Sequence, residues 1–560
     1  MKKAKDDRNF WEKLLPSAMF CKEKIKLTES VNRKKRGFMN FEENVCKSCR
    51  DFFLILILLV FSCSVPRLTY ALQPADLDEI EQLKAEGKFE SSLEAALKIG
   101  NHKVKPYLVD KLKVKLKRAV LRSQGISESL VQEIAPAPPP AMQGGPLSTG
   151  APKVLALLID FPDHAHINSA NNINSSLYGE GEAANYPYES MANFFDRSSH
   201  GLLDLSGGTT LGWYRTAYNR STISETVVGR ENLIKEALNY YNGIGHDFSV
   251  YDNDGDGDID YLIVMWTGPT GAWATFWWAW NLGWSDGAFT LDGKTLSNYS
   301  WQQESNVPSV VIHETGHSLG LPDLYDYDDS AGPTGGVGGF DTMDAAGDIN
   351  CFFKWMLDWI TPKVVDASQE NLMLDDPLSS TDAILIWNGI SSNDIFSEFF
   401  MVENRQDVGN DTSLWFAPDG LAIWHIDAVL DSSGSGFYFD NSYTDHKLVR
   451  LMEADGLEEI ETGDGWADNG DLYSVSDVIT HVTTPSSKKY DGSDSCVRIW
   501  NVVDWGTTPG DKISAIFRPT CTKDKKQVVQ ASQAVIIGSD VSMLSSGLFT
   551  LPSILFFLLK

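Results

Sequence analysis

The eleven residues HETGHSLGLPD, His313 to Asp323, decide the fold of this chain. Because four positions separate His313 from His317, a helix projects both imidazoles from one face, close enough to bind one zinc ion. Glu314 follows the first histidine, where its carboxylate can take a proton from a water molecule at the metal. The pattern therefore predicts a helix that carries a zinc site.

The residues after this helix complete the predicted site. Gly320 lies where the helix must stop and the chain must turn back, and glycine tolerates the positive φ of such a turn. The turn brings Asp323 towards the metal as a third ligand. Further on, Gly338–Met343 offers a glycine-rich turn with Met343 as a methionine that supports the metal. The alternative is a helix with two surface histidines and a capping Asp323, but the full spacing favours the metal site.

A second cation site is predicted in a run of alternating carboxylates. Carboxylates at positions 1, 3, 5, 7 and 9 with glycine at position 6 imitate a calcium loop. Position 12 is Ile263, so the run is not an EF-hand, and a solvated acidic turn is the alternative reading. The candidate calcium ligands are Asp252, Asp254, Asp256, Asp258 and Asp260.

The charge of the chain is unevenly distributed. Its 560 residues are 42% hydrophobic and carry a net charge of −29. Residues 1–50 hold 14 Lys and Arg against 7 Asp and Glu, whereas the rest of the chain holds 33 against 69. Such an acidic body repels nucleic-acid phosphates, so we expect no nucleic-acid partner.

The N-terminal region predicts export. Phe52–Cys63 is an uncharged, almost wholly apolar stretch, too short for the roughly 20 residues that span a bilayer. We expect residues 1–71 to be a basic leader and signal peptide, with Met39 as the true start and cleavage after Ala71. An uncleaved signal anchor is the alternative. Both place the acidic body outside the cell or on its exoplasmic surface.

Sequons and cysteines agree with export. Cys496 and Cys521 flank two strand-like runs and are a candidate disulfide, which leaves Cys351 free. The candidate N-glycosylation sites are Asn174, Asn219, Asn298 and Asn410.

The pattern of the body changes along the chain. Residues 72–134 have helical periodicity, and 135–152 form a Pro/Gly linker that resembles a protease-sensitive boundary. Residues 153–365 mix buried strands with helices, and 366–521 contain short apolar runs that predict a β-sandwich-like domain. The tail, 522–560, ends in an apolar stretch after small residues, which resembles the signal for a C-terminal lipid (GPI) anchor and hence membrane tethering.

The zinc motif and several other segments resemble one family of proteins. HETGHSLGLPDLYD, residues 313–326, is similar to the zinc site of the immune inhibitor A type of bacterial secreted metallopeptidases, a metzincin-like family. The resemblance covers roughly residues 153–475. The further similar segments are 154–163 (VLALLIDFPD), 194–214, 252–268, 355–362 (WMLDWITP), 401–406 (MVENRQ), 420–427 (GLAIWHID) and 453–456 (EADG).

The resemblance implies an α+β fold with a metzincin-like zinc protease domain at 153–365, followed by the β-sandwich-like domain. It implies His313, His317 and Asp323 as zinc ligands, Glu314 as the catalytic residue and Met343 as the Met-turn methionine. The expected activity is that of a zinc endopeptidase acting on proteins or peptides. Residues 72–152 stand where a propeptide would, and since no cysteine lies between Leu72 and Cys351, any latency must be steric or use a carboxylate or His102. An autonomous helical adaptor is the alternative.

Two other functions compete with this reading. Gly283–Gly287 (GWSDG) matches the serine-hydrolase elbow, but turn-like residues follow it instead of the helix that an elbow requires. A catalytically inactive surface binding or adhesion module would keep the fold and lose zinc ligands. The zinc set is intact, which favours the enzyme.

Overall fold

The computed structural model describes residues 77–136, 145–306, 308–328, 335–366, 369–387, 396–442, 446–504, 506 and 512–519. The predicted signal peptide, the centre of the linker, Cys521 and the lipid-anchor signal lie outside these residues. No described helix is both long enough and apolar enough to span a membrane.

Helices occur mainly in the first half of the described chain. The predicted helix at the zinc motif is confirmed. The α-helices are α1 (Leu77–Ala85), α2 (Phe89–Ile99), α3 (Pro106–Ser123), α4 (Glu128–Ile134), α5 (Ala170–Tyr178), α6 (Met191–Ser198), α7 (Val227–Gly243), α8 (Ser309–Ser318), α9 (Cys351–Met356) and α10 (Glu459–Thr462).

The strands form several sheets. They are β1 (Leu155–Asp160), β2 (Thr209–Arg215), β3 (Asp258–Ile259), β4 (Leu262–Trp266), β5 (Trp280–Gly283), β6 (Thr290–Leu291), β7 (Lys294–Leu296), β8 (Asn298–Gln303), β9 (Lys363–Val365), β10 (Glu370–Leu374), β11 (Ala383–Ile386), β12 (Glu398–Gln406), β13 (Asp419–Asp427), β14 (Val449–Leu451), β15 (Arg498–Asp504) and β16 (Ile513–Arg518). The first large sheet has the order β2-β1-β4-β8-β5 and is parallel except for its edge strand β5.

The central strand β1 explains why its sequence is apolar throughout. Ala156 and Leu158 face one hydrophobic cluster, whereas Leu155 and Leu157 face a second cluster on the other side of the sheet. A parallel strand covered on both faces loses the alternation of polar and apolar residues. The continuous apolar run of this strand thus reflects its burial on both faces.

Two sheets dominate the second half of the chain. One has the order β14-β13-β12-β11-β9 and the other the order β10-β16-β15. Both contribute to one apolar cluster, for example through Val402 of β12 and Phe517 of β16. The structure is thus a mixed arrangement of helices and several sheets, compatible with the predicted α+β class.

The helical segment α1–α4 packs against the rest of the protein. Leu108, Leu112 and Leu116 of α3 are fully buried and belong to the same cluster as Val311 of α8. Lys111 and Lys115 both form ion pairs with Asp358, at 2.8 and 2.6 Å. Apolar burial and ion pairs together hold this segment on the body of the protein.

Candidate metal centre

Helix α8 carries the two histidines in the interior of the protein. Its residues are all buried, and His313 and His317 are each 1% exposed. The rings of the two histidines lie 4.7 Å apart, as expected for positions one turn apart on one helix face. Gly320 has φ +102°, so the predicted turn at a glycine is confirmed.

This turn brings Asp323 to the histidines. Oδ1 of Asp323 lies 2.9 Å from Nε2 of His313 and 3.2 Å from Nε2 of His317. The candidate ligand atoms of the three residues all lie within 4.8 Å of one another. The structure therefore joins the three residues that the motif predicted as ligands.

Each of these side chains is oriented by a further hydrogen bond. Nδ1 of His313 donates to the carbonyl oxygen of Thr342 at 3.0 Å, and Nδ1 of His317 donates to that of Leu321 at 2.9 Å. Because Nδ1 of each ring donates to a backbone carbonyl, Nε2 is the ring nitrogen that faces Asp323 and that is placed to bind a metal ion once it is deprotonated. The hydroxyl of Tyr327 donates to Oδ2 of Asp323. Sequence reasoning missed these partners, since two are backbone carbonyls and Tyr327 lies in an irregular loop.

The charges of the cluster act strongly on one another. Burial by itself would raise the pKa of Asp323, but the two histidines hold it well below its usual range. Burial by itself would lower the pKa of His313, but the hydrogen bond to Asp323 and the charge of Asp323 raise this pKa to about 9. Burial lowers the pKa of His317. The carboxylate is therefore kept ionised inside the protein.

Glu314 supplies an unused acceptor beside this cluster. Its side chain is 1% exposed, and its Oε2 has no hydrogen-bond partner among the described residues. Burial raises its pKa to about 8. Two imidazoles and a carboxylate, with a further position left for water, are a donor set that zinc accepts. The residues present thus fit a metal ion with Glu314 next to it.

Met343 lies beneath the histidine helix. Its side chain is fully buried, and its Sδ would lie 2.4 Å from a Cβ atom placed on Gly316. Only a glycine at that position allows the methionine to approach so closely. The turn that carries Met343 also supplies the Thr342 carbonyl that holds His313, and the role of Met343 as a Met-turn residue stays a prediction.

The helical segment crosses next to this cluster. The N–H of Asp323 donates to the carbonyl oxygen of Asn101 at 2.8 Å, and the N–H of Lys105 donates to that of Gly320 at 3.0 Å. The ring of His102 lies 5.7 Å from that of Tyr327. Oδ1 of Asn101 and Nδ1 of His102 are buried and without a hydrogen-bond partner among the described residues. The connection between α2 and α3 thus contacts the turn that carries the third ligand.

The acidic loop is only partly assembled as predicted. Asp252, Asp254, Asp256 and Asp260 bring carboxylate oxygens within 4.8 Å of one another, whereas Asp258 does not join this group. Nζ of Lys294 lies 2.5 Å from Oδ2 of Asp252, so one carboxylate already has a basic partner.

The four candidate N-glycosylation sites differ in solvent exposure. Asn174 and Asn219 are exposed. Asn298 and Asn410 are 5% and 2% exposed, and their amides are hydrogen-bonded to Asn281 and to Arg197, respectively. A glycan cannot be accommodated at a buried, hydrogen-bonded amide, so the prediction for these two asparagines is corrected.

Two minor predictions concern Cys496 and Ser285. Cys496 is disulfide-bonded, but Cys521 lies outside the described residues, so their pairing stays a prediction. Cys351 is a buried free cysteine. Ser285 is followed by no helix, and its hydroxyl donates to Glu231 at 3.1 Å. This environment does not match a serine-hydrolase elbow.

Comparison with known proteins gives one distant likeness. The chain is 29% identical over 233 residues to the pre-pro-metalloprotease PrtV of two Vibrio cholerae serotype O1 strains, M66-2 and ATCC 39315. The match covers 31% of this chain and 25% of the length of that relative. No family model matches the chain. The likeness supports a metalloprotease in general, and does not single out the immune inhibitor A type.

Proposed function

We propose that this protein is a secreted or surface-tethered zinc endopeptidase of the metzincin-like, immune inhibitor A type. The observation that carries the proposal is the buried set of His313, His317 and Asp323 with the unpartnered oxygen of Glu314 beside it. The proposed architecture is a metzincin-like catalytic region at 153–365, followed by a β-sandwich-like region at 366–521. Its substrates are proteins or peptides.

The mechanism follows from the position of each side chain. When bound by His313, His317 and Asp323, zinc lowers the pKa of water and polarises the scissile carbonyl. The free oxygen of Glu314 accepts the proton of the attacking water and delivers it to the leaving amine. Thr342 and Leu321 hold the imidazoles through their carbonyl oxygens, so the ligands need no rearrangement during the reaction. No covalent intermediate is required.

The helical segment supports a propeptide role. Its α2–α3 connection bonds the backbone on both sides of the ligand turn, at Gly320 and Asp323, and α1 and α2 pack against Trp273 and Tyr327. A substrate that approaches Asp323 from this side meets the connection first. We therefore propose that residues 72–152 keep the enzyme latent by steric blockage until the linker is cut.

The remaining proposals concern export and calcium. The leader and the exposed sequons Asn174 and Asn219 support a glycosylated extracellular protein, and the tail supports a lipid anchor. The four clustered carboxylates of the acidic loop support a structural calcium ion there.

The decisive experiment compares Glu314→Gln with the unchanged protein. A site-specific cleavage sequence is placed in the linker, within residues 137–144, and zinc content and hydrolysis of a casein substrate are measured before and after cutting. We expect stoichiometric zinc in both proteins, and hydrolysis that falls by about 10²- to 10⁴-fold in the variant. The matched control is Glu180→Gln, an exposed glutamate far from the motif in sequence.

The same experiment tests latency. We expect activity to rise once the linker is cut and the N-terminal fragment is removed. Constant activity would support the adaptor reading. Stoichiometric zinc without hydrolysis in any form would contradict the enzyme and support a binding module.

A further inference from the structure

A second group of carboxylates lies in the segment between β14 and β15, in residues that are not part of the histidine site. Glu453, Asp455 and Glu459 bring carboxylate oxygens within 4.8 Å of one another. Two more residues lie beside them. Oδ1 of Asp468 and Oδ2 of Asp455 would both lie about 3 Å from a Cβ atom on Gly470, at 2.9 and 3.1 Å, and the carbonyl oxygen of Asp471 accepts a hydrogen bond from the N–H of Ala454.

Two members of this group are buried with an unpaired oxygen each. Glu453 is fully buried and Asp471 is 1% exposed. One oxygen of each accepts a backbone N–H, from Ile460 at 3.3 Å and from Asp468 at 2.8 Å, respectively. The other oxygens, Oε1 of Glu453 and Oδ1 of Asp471, are buried and have no hydrogen-bond partner among the described residues. A buried carboxylate oxygen without a partner is costly, so it indicates a missing ligand.

Basic side chains do not supply this partner. Lys447 and Arg450 are nearby cations. The charge of Arg450 acts on Glu453, but the ion pairs of these two side chains are with Glu461 and Glu458. Within the described part of the chain, no ion pair joins Glu453, Asp455, Glu459, Asp468 or Asp471 to a lysine, arginine or histidine. This distinguishes the group from the acidic loop, where Lys294 contacts Asp252.

We propose that these five carboxylates form a divalent-cation site and that its occupant is calcium. An all-oxygen set of several carboxylates suits calcium, which takes six to eight oxygen ligands, whereas zinc and copper prefer nitrogen or sulfur. The ion provides the positive charge that the unpaired oxygens of Glu453 and Asp471 lack.

The carboxylate group lies in a segment that packs on the glycine turn before Met343. α10 and Ala467 lie between the carboxylates in the chain and pack on the glycine turn before Met343. The N–H of Ala467 donates to the carbonyl oxygen of Gly338 at 2.9 Å, and the carbonyl oxygen of Ile460 would lie 2.1 Å from a Cβ atom on Gly335. Bound calcium therefore stabilises the packing of residues 459–467 on the glycine turn that precedes Met343. This inference does not depend on the proposed protease activity.

The test measures calcium binding in the full chain with Asp254→Asn in the acidic loop, so that the loop contributes as little as possible. Zinc-loaded protein is titrated with CaCl2 by calorimetry, and amide hydrogen exchange of residues 335–340 and 459–467 is followed. We expect one bound calcium and slower exchange in both segments. Asp455→Asn, at an exposed site that tolerates the change, is expected to weaken binding by at least about 10-fold, because affinity depends on ligand charge. Glu453→Gln is expected to abolish it.

The matched control is Asp464→Asn, which makes the same charge change at an exposed residue of the same segment outside the five. We expect its affinity to stay within about two-fold of the parent, since its carboxylate is not a ligand. Absence of calcium binding in the parent, or equal affinity in Asp455→Asn and the parent, would overturn the proposal. Equal losses in Asp464→Asn and Asp455→Asn would show a general charge effect, and would overturn it as well.

Discussion

The histidine centre and the acidic loop Asp252–Asp260 both gather candidate metal ligands, but different groups neutralise their charges. In the centre, Asp323 lies between two imidazoles, and every ligand is held by a further hydrogen bond. In the loop, four carboxylates gather, of which Asp260 is buried and Asp256 is exposed, and the ammonium group of Lys294 contacts Asp252. The centre thus pairs one carboxylate with two imidazoles, whereas the loop brings several carboxylates together with one ammonium group and with hydrogen bonds from its own backbone and Asn253. A metal ion at the centre should determine reactivity, and one at the loop should affect only stability.

An aspartate-to-asparagine substitution in each region should show the largest difference between a reactive metal site and a stabilising one. We expect Asp323→Asn to lose zinc and to lower hydrolysis roughly 10³-fold, because a ligand charge that holds the Lewis acid is removed. Asp254→Asn should keep zinc and stay within about two-fold of the parent activity, as a carboxylate of a stability site takes no part in the reaction. Metal analysis and kinetics on the linker-cut protein measure both. A large loss of activity in Asp254→Asn would remove the distinction between the two regions.

The hydroxyl of Tyr327 donates to Asp323 in the centre, as the amide of Asn253 donates to Asp260 in the loop. Tyr327→Phe removes only the hydroxyl that orients the carboxylate, so we expect zinc affinity to fall by about 10- to 100-fold with the fold intact. Competition with a chromogenic chelator gives the affinity. Tyr438→Phe, at a side chain that is 66% exposed, is the control. Unchanged zinc affinity in Tyr327→Phe would show that this hydrogen bond does not orient Asp323 for metal binding.

The proximity of His313, His317 and Asp323 could be predicted because the information for it is local. The spacing of His313 and His317 fixes one helix face, and the glycine at 320 fixes the turn, so both could be inferred without knowledge of the fold. Strands β1 and β4 were also predictable, since a nearly unbroken apolar run reports burial on both faces of a sheet.

The sequence did not predict features that depend on contacts between segments far apart in the chain. The acidic loop has the more regular pattern, yet Lys294 compensates part of its charge from another strand. Glu453 and Asp471 have an irregular spacing, yet each has a buried oxygen without a hydrogen-bond partner among the described residues. Similarly, Asn298 and Asn410 match the sequon as well as the exposed Asn174 does. Pairing and burial between remote segments decided these cases, and neither leaves a periodic signal.

The packing beneath the histidine helix also differs from that of an ordinary helix. Alanine in place of an interior glycine normally stabilises a helix, but a Cβ atom on Gly316 would lie 2.4 Å from Sδ of Met343. We therefore expect Gly316→Ala to lower the free energy of unfolding by about 1–3 kcal/mol. Gly243→Ala is the matched control, because nothing lies within 4 Å of its Cβ position at the end of α7, and we expect a gain of up to about 1 kcal/mol. Urea unfolding measures both. A gain in both variants would show that Met343 does not support the helix closely.

The smallest expected effect concerns the partner of the acidic loop. Lys294→Gln leaves Asp252 without its ammonium, so in calcium-free buffer we expect a small fall in the free energy of unfolding. Calcium should remove this deficit, because a divalent ion in the loop supplies the positive charge that the variant lacks. Lys235→Gln is the matched control. Lys235 forms an ion pair of similar length, 2.6 Å, with Asp286 outside the acidic clusters, so any deficit there should persist with calcium. Binding at Glu453 is common to all these proteins and cancels in the difference. If calcium changed the free energy of unfolding equally in both lysine variants, the loop would bind no calcium.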